Sequence, residues 1–252
     1  MACVVGILAA TAMSPGRTTR FPTEIATRRS ALATLVGVAP FALDVLASPR
    51  AARAFENGVA EMDKYKDKPK QRGPKPNDIG LKTRVINADG DEAVGAVKIC
   101  GGAPNCFTTT GDMAMPGDSE HLIPFWRPPK GASAEAAMRD VVDVLKAYTP
   151  GQSGIDGGGF KIVTADAGYV YAQFESLRQG YIDDLEIALA QNGGDALAVQ
   201  VRSSSRLGYL DFGVNALRLN AISKELRARG WTAAEITPKS HAQYWALNAP
   251  RR

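Results

Sequence analysis

Two neighbouring segments of the chain alternate apolar and polar side chains, and this alternation constrains the fold more than any other feature. In residues 182–190, Leu185 and Ile187 alternate with Asp184 and Glu186. The second segment, residues 197–206, has apolar Leu197, Val199 and Val201 alternating with polar Gln200, Arg202, Ser204 and Arg206. Because successive side chains of a strand point to opposite faces of a sheet, both segments predict strands with one apolar face and one polar face.

The turn between these segments fixes how they pair. It contains Asn192-Gly193-Gly194-Asp195, which predicts a hairpin. A two-residue Gly-Gly loop would place Glu186 opposite Val201 and mix the two faces. A three-residue loop, with glycine in the left-handed conformation, keeps each apolar set on one face. We therefore expect Arg202 to lie opposite Asp184 or Glu186.

Two segments carry apolar side chains at helical spacing. Residues 134–148 form the first, with Ser133 in position to cap it. Residues 215–229 form the second, and Gly230 is a typical stop signal. Both predict amphipathic helices that cover the apolar face of a sheet.

The other strands complete the expected fold. Residues 160–163 and 169–176 alternate as strands joined by a polar turn, and a short apolar run at 122–126 precedes the first helix. The order is strand, helix, four strands, helix. This order predicts an α+β fold, with a curved antiparallel sheet of about five strands and both helices packed on one face.

Polar side chains on these elements form the candidate functional face. The set is Gln173, Glu175, Asp183, Asp184, Glu186, Arg202, Ser204, Arg206, Asp211, Asn215 and Arg218. One interpretation is structural: cross-strand ion pairs that hold the register. The other is a recognition face or an acid/base site. Asp211 and Asn215 are expected to cap the second helix, and Arg218 to reach back to Asp211 or Asp183.

The common catalytic and metal patterns are not matched here. Residues 203–205 are serines, but no Gly-x-Ser-x-Gly turn surrounds them and the chain has two histidines. Asp183, Asp184 and Glu186 alternate between faces and lack the glycine turn of a calcium loop. We expect neither a metal site nor a cofactor, and an enzyme is the less favoured class.

Three stretches carry a resemblance to a known family. They are Pro104-Asn105-Cys106, the run at 181–186 and the long run at 202–215 followed by Arg218. Together they resemble the domain-of-unknown-function family 1499, found in bacteria and in algal plastids, over about residues 97–230. Residues 107–130 and 231–252 resemble its plastid type. The resemblance implies no established activity.

The N-terminal 54 residues read as an export address. Arg28 and Arg29 precede an apolar run at 31–47, and Ala52 and Ala54 have the small side chains typical of a cleavage site. The uninterrupted apolar part is too short for a membrane anchor. Residues 1–27 resemble a plastid transit region, and residues 3–13 are an alternative secretory signal. A transit region followed by a twin-arginine signal resembles the address of proteins of the thylakoid lumen.

Charge in the remaining chain is balanced. Residues 1–54 hold six arginines and two acidic residues, so the remainder carries 24 basic and 24 acidic side chains. Overall charge therefore gives no support for nucleic-acid binding, and no later segment is long enough to span a membrane. Residues 55–96 form a Lys- and Pro-rich arm. Its Lys64, Lys66, Lys68 and Lys70 predict either a solvated, poorly ordered segment or an arm that contacts an acidic partner.

Cys100 and Cys106 remain after processing, and three interpretations apply to them. A short glycine-rich spacer separates them, and an exported protein meets oxidising conditions, which favours a disulfide. A metal site with His121 and His241 would have no standard zinc spacing. Two free thiols are the third interpretation.

These observations leave three hypotheses for function. The first is a non-enzymatic protein of the thylakoid lumen that associates with, or helps to assemble, photosynthetic membrane complexes. The second is a carrier of a small hydrophobic ligand, a lipid or a pigment, held between sheet and helices. The third is an enzyme that uses the charged outer face. Residues 97–230 are expected to form the domain, followed by a C-terminal tail at 231–252.

Overall fold

The computed structural model describes residues 55–115, 117–191 and 196–249. The predicted transit region and twin-arginine signal, with Arg28, Arg29, Ala52 and Ala54, lie outside these residues, as does the Gly-Gly turn. The strands are β1 (Lys82–Val85), β2 (Glu92–Ala96), β3 (Cys106–Thr108), β4 (Gly159–Ala165), β5 (Tyr169–Glu175), β6 (Ile182–Leu189) and β7 (Val199–Ser205). The helices are α1 (Ala134–Lys146), α2 (Val214–Ala228) and α3 (Ala242–Asn248).

A five-stranded antiparallel sheet organises these elements, in the order β3-β7-β6-β5-β4. The α+β prediction is confirmed. The first strand differs from the expectation, since β3 supplies the edge. The apolar run at 122–126 instead makes two isolated bridges, Leu122 with Thr108 and Trp126 with Val199. Pro124 lies between them and has no backbone N–H to donate, so a continuous strand is not favoured there.

The predicted register of β6 and β7 is confirmed. Glu186 lies opposite Arg202, and Asp184 lies opposite Ser204. The pairing extends beyond the two strands, because the Ala190 backbone N–H donates to the Ala198 carbonyl at 2.9 Å. The odd-numbered residues of both strands therefore face the helices.

The helices pack on that inner face. Ser133 caps α1 by accepting a hydrogen bond from the backbone N–H of Ala136 at 3.1 Å, as predicted. A single core of buried side chains joins helices and sheet. It includes Val141 and Leu145 of α1, Leu219 and Ile222 of α2, and Val170, Ala172, Phe174, Leu185, Ile187, Val199 and Val201 of the sheet.

The C-terminal segment is part of this core. Trp231 and Tyr244 are buried, and the Tyr244 ring meets Phe107 of the edge strand with 4.6 Å between centroids. Residues 242–248 form the short helix α3, which periodicity alone did not predict. In the described part of the chain, every helix is too short or too polar to cross a lipid bilayer.

Candidate functional site

The candidate functional face divides into two polar clusters on opposite sides of the sheet. The inner cluster, on the helix side, contains Asp183, Asp211, Asn215 and Arg218. The outer cluster contains Gln173, Glu175, Asp184, Glu186, Arg202, Ser204 and Arg206. The division follows from strand alternation, because Asp183 and Asp184 are neighbours that point to opposite faces.

Arg218 is the centre of the inner cluster, and its side chain is fully buried. Its guanidinium donates to both carboxylate oxygens of Asp156, at 2.9 and 2.5 Å, and to Asp183 at 2.7 Å. Ser203 and Asn215 accept its remaining bonds. Burial would lower the pKa of Arg218, but the two aspartates raise it well above its usual value. A guanidinium this fully bonded is a structural element, not a free binding group.

Asp156 was not predicted as a member of this cluster. It lies in the glycine-rich loop before β4, with a positive φ of 54°. Burial raises its pKa, while Arg218 opposes that rise. The Tyr148 hydroxyl also donates to it at 2.6 Å. No periodic signal surrounds Asp156 in the sequence, so its role was not visible there.

Asp211 organises the corner that leads into α2. Its carboxylate accepts from the backbone N–H groups of Gly213 and Asn215 and from the Tyr244 hydroxyl. Asp211 therefore satisfies N–H groups at the start of α2, although the N-cap position itself is Gly213, two residues later. Asn215 does not cap: it lies inside the first turn and bonds Ser203, Asp211 and Asn105. Arg218 reaches Asp183 and not Asp211, because Asp183 projects from β6 directly beneath it.

In the outer cluster, Asp184 and Arg206 form a bidentate pair. The Nε and Nη2 atoms of Arg206 each donate to one oxygen of Asp184 at 2.8 Å. The Tyr171 hydroxyl donates to the same carboxylate at 2.6 Å and accepts from Gln173. Both oxygens of Asp184 are therefore occupied by donors.

Glu186 and Arg202 are less well matched. One Glu186 oxygen accepts from the backbone N–H of Gly80 at 2.6 Å and from the Tyr169 hydroxyl at 2.8 Å. The other oxygen lies 3.6 Å from Nη1 of Arg202, which is an ion pair without a hydrogen bond. Of the two predicted partners of Arg202, Glu186 is the one that lies beside it, whereas Asp184 pairs with Arg206. The contact between Arg202 and Glu186 is the loosest of the cluster.

Glu175 connects the sheet to the N-terminal segment. Its carboxylate is fully buried, 3.3 Å from Nζ of Lys70 and 2.5 Å from Nη2 of Arg72. Lys64, Lys66 and Lys68 are exposed, as a solvated arm would have them. The side chain of Lys70, however, is only 2% exposed. The expectation of a poorly ordered arm is wrong here, because a buried carboxylate on β5 holds the segment in place.

Residues 70–98 form a strap that crosses the outer face. It contains the β1–β2 hairpin, and the Gln200 side chain fixes its far end by bonding the backbone of Gly95 and Val97. Hydrogen bonds from Lys82 and Arg84 hold the pKa of Asp78, within the strap, far below its usual value. The strap therefore has its own charged contacts as well as those to the sheet.

A pocket of about 390 Å³ lies between the strap and the sheet. The sheet contributes Asp184, Arg202, Ser204 and Arg206, and the strap contributes Lys75, Asp78 and Lys98. Four of the predicted site residues, the ones that the sheet contributes, therefore line the pocket. A fifth, Glu186, lies beside it. Sequence reasoning missed the strap half of the pocket, because the cluster of lysines that it identified, Lys64 to Lys70, lies at or before the start of the strap.

Replacing Glu175 with glutamine is expected to loosen the strap. The amide cannot balance Lys70 and Arg72, and the buried Lys70 ammonium would lose its counter-charge. We expect trypsin to cut the folded variant after Lys70 and Arg72 at least about tenfold faster than it cuts the unaltered protein. This factor corresponds to a decrease of about 1.4 kcal/mol in the free energy of opening the strap. Peptide mass mapping over time measures this rate.

The matched control is Glu225→Gln, which changes an exposed glutamate of α2. It should leave the cleavage rate at both sites unchanged. Equal cleavage of the Glu175→Gln variant and the unaltered protein would show that Glu175 does not hold the strap.

Cys100 and Cys106 form a disulfide, with 5.7 Å between their Cα atoms. This confirms the first of the three interpretations. The histidines have other partners: His121 bonds the Cys106 carbonyl and His241 bonds the Leu122 carbonyl. Among the described residues, no group of three or more metal-ligating side chains is arranged around one point.

The chain matches the model of a known protein family. The model of a family described as "Protein of unknown function (DUF1499)" matches residues 96–226, more than half of the chain. No curated protein and no solved structure is detectably similar. The match spans β3 to β7, α1 and all but the last two residues of α2, and so includes the sheet side of the pocket and the whole inner cluster.

Proposed function

The chain belongs to the DUF1499 family of proteins of unknown function, and we propose that it is a non-enzymatic protein of the thylakoid lumen that binds a small polar ligand in the pocket under its strap. The observation that carries this proposal is the pocket itself. Most of the outer face is covered by the strap, yet a space of about 390 Å³ is left open over Asp184, Arg202 and Arg206. A pocket with a few convergent polar groups is the usual form of a ligand site.

The side chains in this pocket favour binding over catalysis. The described residues that line it include neither histidine nor cysteine. Ser204, the serine nearest to Asp184 in the register, donates to the Ser205 carbonyl at 3.4 Å and not to a base. Asp184 accepts from Arg206 and Tyr171, so it is engaged as an acceptor. A nucleophile beside a general base is the arrangement that covalent catalysis requires.

The inner face gives less support to a hydrophobic carrier. Side chains of α1 and α2 pack directly against those of the sheet, and the rings of Phe160 and Phe174 stack with 5.3 Å between centroids. A carrier needs space at this position, and close-packed interiors have little of it. The polar pocket on the other face is the better candidate.

The proposed location rests on the twin-arginine signal and the small residues before Phe55. The disulfide supports an oxidising compartment. Cleavage after Ala54 would also keep the first contacts of the domain, since Asn57 accepts from Phe160 N–H and Val59 donates to Gly157. N-terminal sequencing of the protein from isolated thylakoids should find Phe55 first. A start upstream of Arg28, or retention of residues 31–47, would contradict the lumenal location.

Association with photosynthetic membrane complexes is the further part of this proposal. Exposed Tyr209 and Phe212 lie at the corner before α2, and Leu247 of α3 is exposed next to Asn248, which bonds the Phe212 backbone. A contiguous patch of exposed apolar side chains is typical of a contact surface. Native separation of solubilised thylakoid complexes should find this protein migrating with one of them. Migration only as free protein would contradict the association.

Pocket binding is tested with a variant that fills the space. Ser204→Phe places a ring where the pocket is open, and Val163→Phe adds the same ring at an exposed position of β4. We expect at least one compound in a panel of small anions, cations and neutral sugars to raise the melting temperature of the processed protein and of the Val163→Phe control. The same compound should not stabilise folded Ser204→Phe.

Two outcomes would contradict pocket binding. One is that no compound of the panel stabilises the processed protein. The other is that the stabilising compound acts equally on Ser204→Phe. If Ser204→Phe does not fold, Ser204→Leu fills less of the space and serves as the second variant.

A further inference from the structure

Arg202 marks the pocket as a site for a particular chemical class. We propose that the pocket binds a small oxyanion, a phosphate, sulfate or carboxylate group, and that Arg202 is the residue that recognises it. This inference rests on the proposed function, because it names the ligand of the same pocket.

The hydrogen-bonding state of Arg202 is the first observation. Its side chain is 10% exposed, its Nε atom is buried with no hydrogen-bond partner, and no described residue accepts a hydrogen bond from its guanidinium. Glu186 is the nearest carboxylate, at 3.6 Å, and its bonded oxygen is committed to Gly80 and Tyr169. A buried charge without hydrogen bonds is costly, so the arrangement is better explained if a ligand supplies the acceptors.

Comparison with the other buried arginines sharpens this point. Arg218 bonds two aspartates, and Arg206 bonds Asp184 through two parallel hydrogen bonds. Arg202 lies on β7, which ends one residue before Arg206, and its side chain lines the same pocket. Of the two arginines in the pocket, Arg202 is therefore the one whose planar guanidinium group has no hydrogen-bond acceptor among the described residues. A planar group with two oxygens, or a tetrahedral oxyanion, matches that fork.

The charge around the pocket points the same way. Four cations line it: Lys75, Lys98, Arg202 and Arg206. Two carboxylates line it as well: Asp184 is paired with Arg206, and Asp78 is paired with Lys82, Arg84 and Lys98. Lys75 and Arg202 are the lining cations that remain. Glu186, beside Arg202, offsets part of the remaining positive charge. The pocket therefore favours an anion over a neutral or cationic ligand.

The size of the pocket allows two sources for the oxyanion. A volume of about 390 Å³ accommodates a free ion and also a small organic molecule that carries the group. Inorganic phosphate and sulfate represent the free ion. Glycerol phosphate represents a small phosphomonoester, and citrate represents a small carboxylate.

Isothermal titration of the processed protein with these four probes tests the inference. We expect at least one of them to bind, with an affinity that falls as salt is added, because the attraction is electrostatic. Arg202→Met should weaken that binding at least tenfold, and Arg202→Lys should weaken it less, because it keeps the charge but loses the planar fork. Binding of glycerol phosphate or citrate without phosphate or sulfate identifies the organic source.

Two further variants separate recognition from structure. Glu186→Gln keeps an oxygen to accept from Gly80 and Tyr169 but removes the charge opposite Arg202, so it should bind the same probe more tightly. Arg229→Met, on the exposed surface beside α1, should bind it as the unaltered protein does. Arg202→Met also leaves the buried Glu186 carboxylate without its nearest counter-charge, so we expect it to melt below the unaltered protein, and its titration is run at a temperature at which it is folded.

The results that overturn the inference differ from those that overturn the proposed function. If none of the four probes binds, or if Arg202→Met binds them unchanged, the oxyanion inference is wrong. If a neutral or cationic compound then binds in a way that Ser204→Phe abolishes, pocket binding stands with a different ligand class. If nothing binds at all, both proposals fail.

Discussion

Replacing Arg218 with methionine is expected to destabilise the protein by about 3–5 kcal/mol, the usual loss when one partner of a buried ion pair is removed. Arg218 is fully buried and neutralises Asp156 and Asp183. Methionine fills much of the same volume but leaves both carboxylates without a counter-charge. Chemical denaturation at neutral pH measures the loss.

Arg229→Met is the matched control for this prediction. Arg229 is 37% exposed and pairs with Asp140 on the surface, so the same substitution should change stability by less than about 1 kcal/mol. A loss below that value for Arg218→Met as well would contradict the structural role of the inner cluster.

The loss in Arg218→Met should also depend on pH. Without the arginine, burial raises the pKa of Asp156 with no opposing cation. The folded variant then holds protons that the unfolded chain, with ordinary aspartate pKa values, releases. Its stability is therefore greater at low pH and is lost as pH rises through the raised pKa. We expect a smaller difference from the unaltered protein at pH 5 than at pH 8, and an equal difference would contradict this explanation.

Removing the disulfide is the second large effect expected. Cys100 and Cys106 are six positions apart, and closing a loop of this size stabilises by about 2 kcal/mol in the chain-entropy description. The double variant Cys100→Ser, Cys106→Ser should lose about that much in denaturant unfolding. The Thr108 hydroxyl, which bonds the Lys98 carbonyl, continues to connect the two ends of the segment.

A reductant provides the control for the disulfide prediction. It should lower the stability of the unaltered protein by a similar amount and leave the serine variant unchanged. If neither the substitution nor the reductant alters the unfolding midpoint, the bond does not contribute to stability. If the reductant also affects the serine variant, its action does not pass through these cysteines.

The sheet and its outer face were predictable because strand alternation is a local and rigid rule. Keeping Leu185, Ile187 and Val201 on one face was enough to place Arg202 opposite Asp184 or Glu186, and the structure shows that it is Glu186. The same requirement excluded a two-residue turn and favoured a turn with an odd number of residues, without knowledge of its conformation. The disulfide was predictable for a similar reason, since a short spacer limits the distance between two cysteines.

The parts that could not be predicted depend on contacts between distant segments. Asp156 has no pattern around it, and only the position of Arg218, 62 residues later, explains its burial. Lys70 belongs to a series of lysines whose sequence predicts exposure to solvent. It is buried, unlike the other three, because it contacts the buried Glu175. The register predicts that Arg202 and Glu186 are adjacent, but not that 3.6 Å and no hydrogen bond lie between them.

The strap has a consequence for the order of folding. Gly80 meets Glu186 across 106 positions, and Arg72 meets Glu175 across 103. Closing loops of that length is entropically unfavourable until the partner surface exists. The strap leaves the ribosome first, yet the strands that receive it are completed late. We therefore expect its docking in a late kinetic phase, after the β5–β7 meander has formed, and the pocket under the strap to form in that same phase.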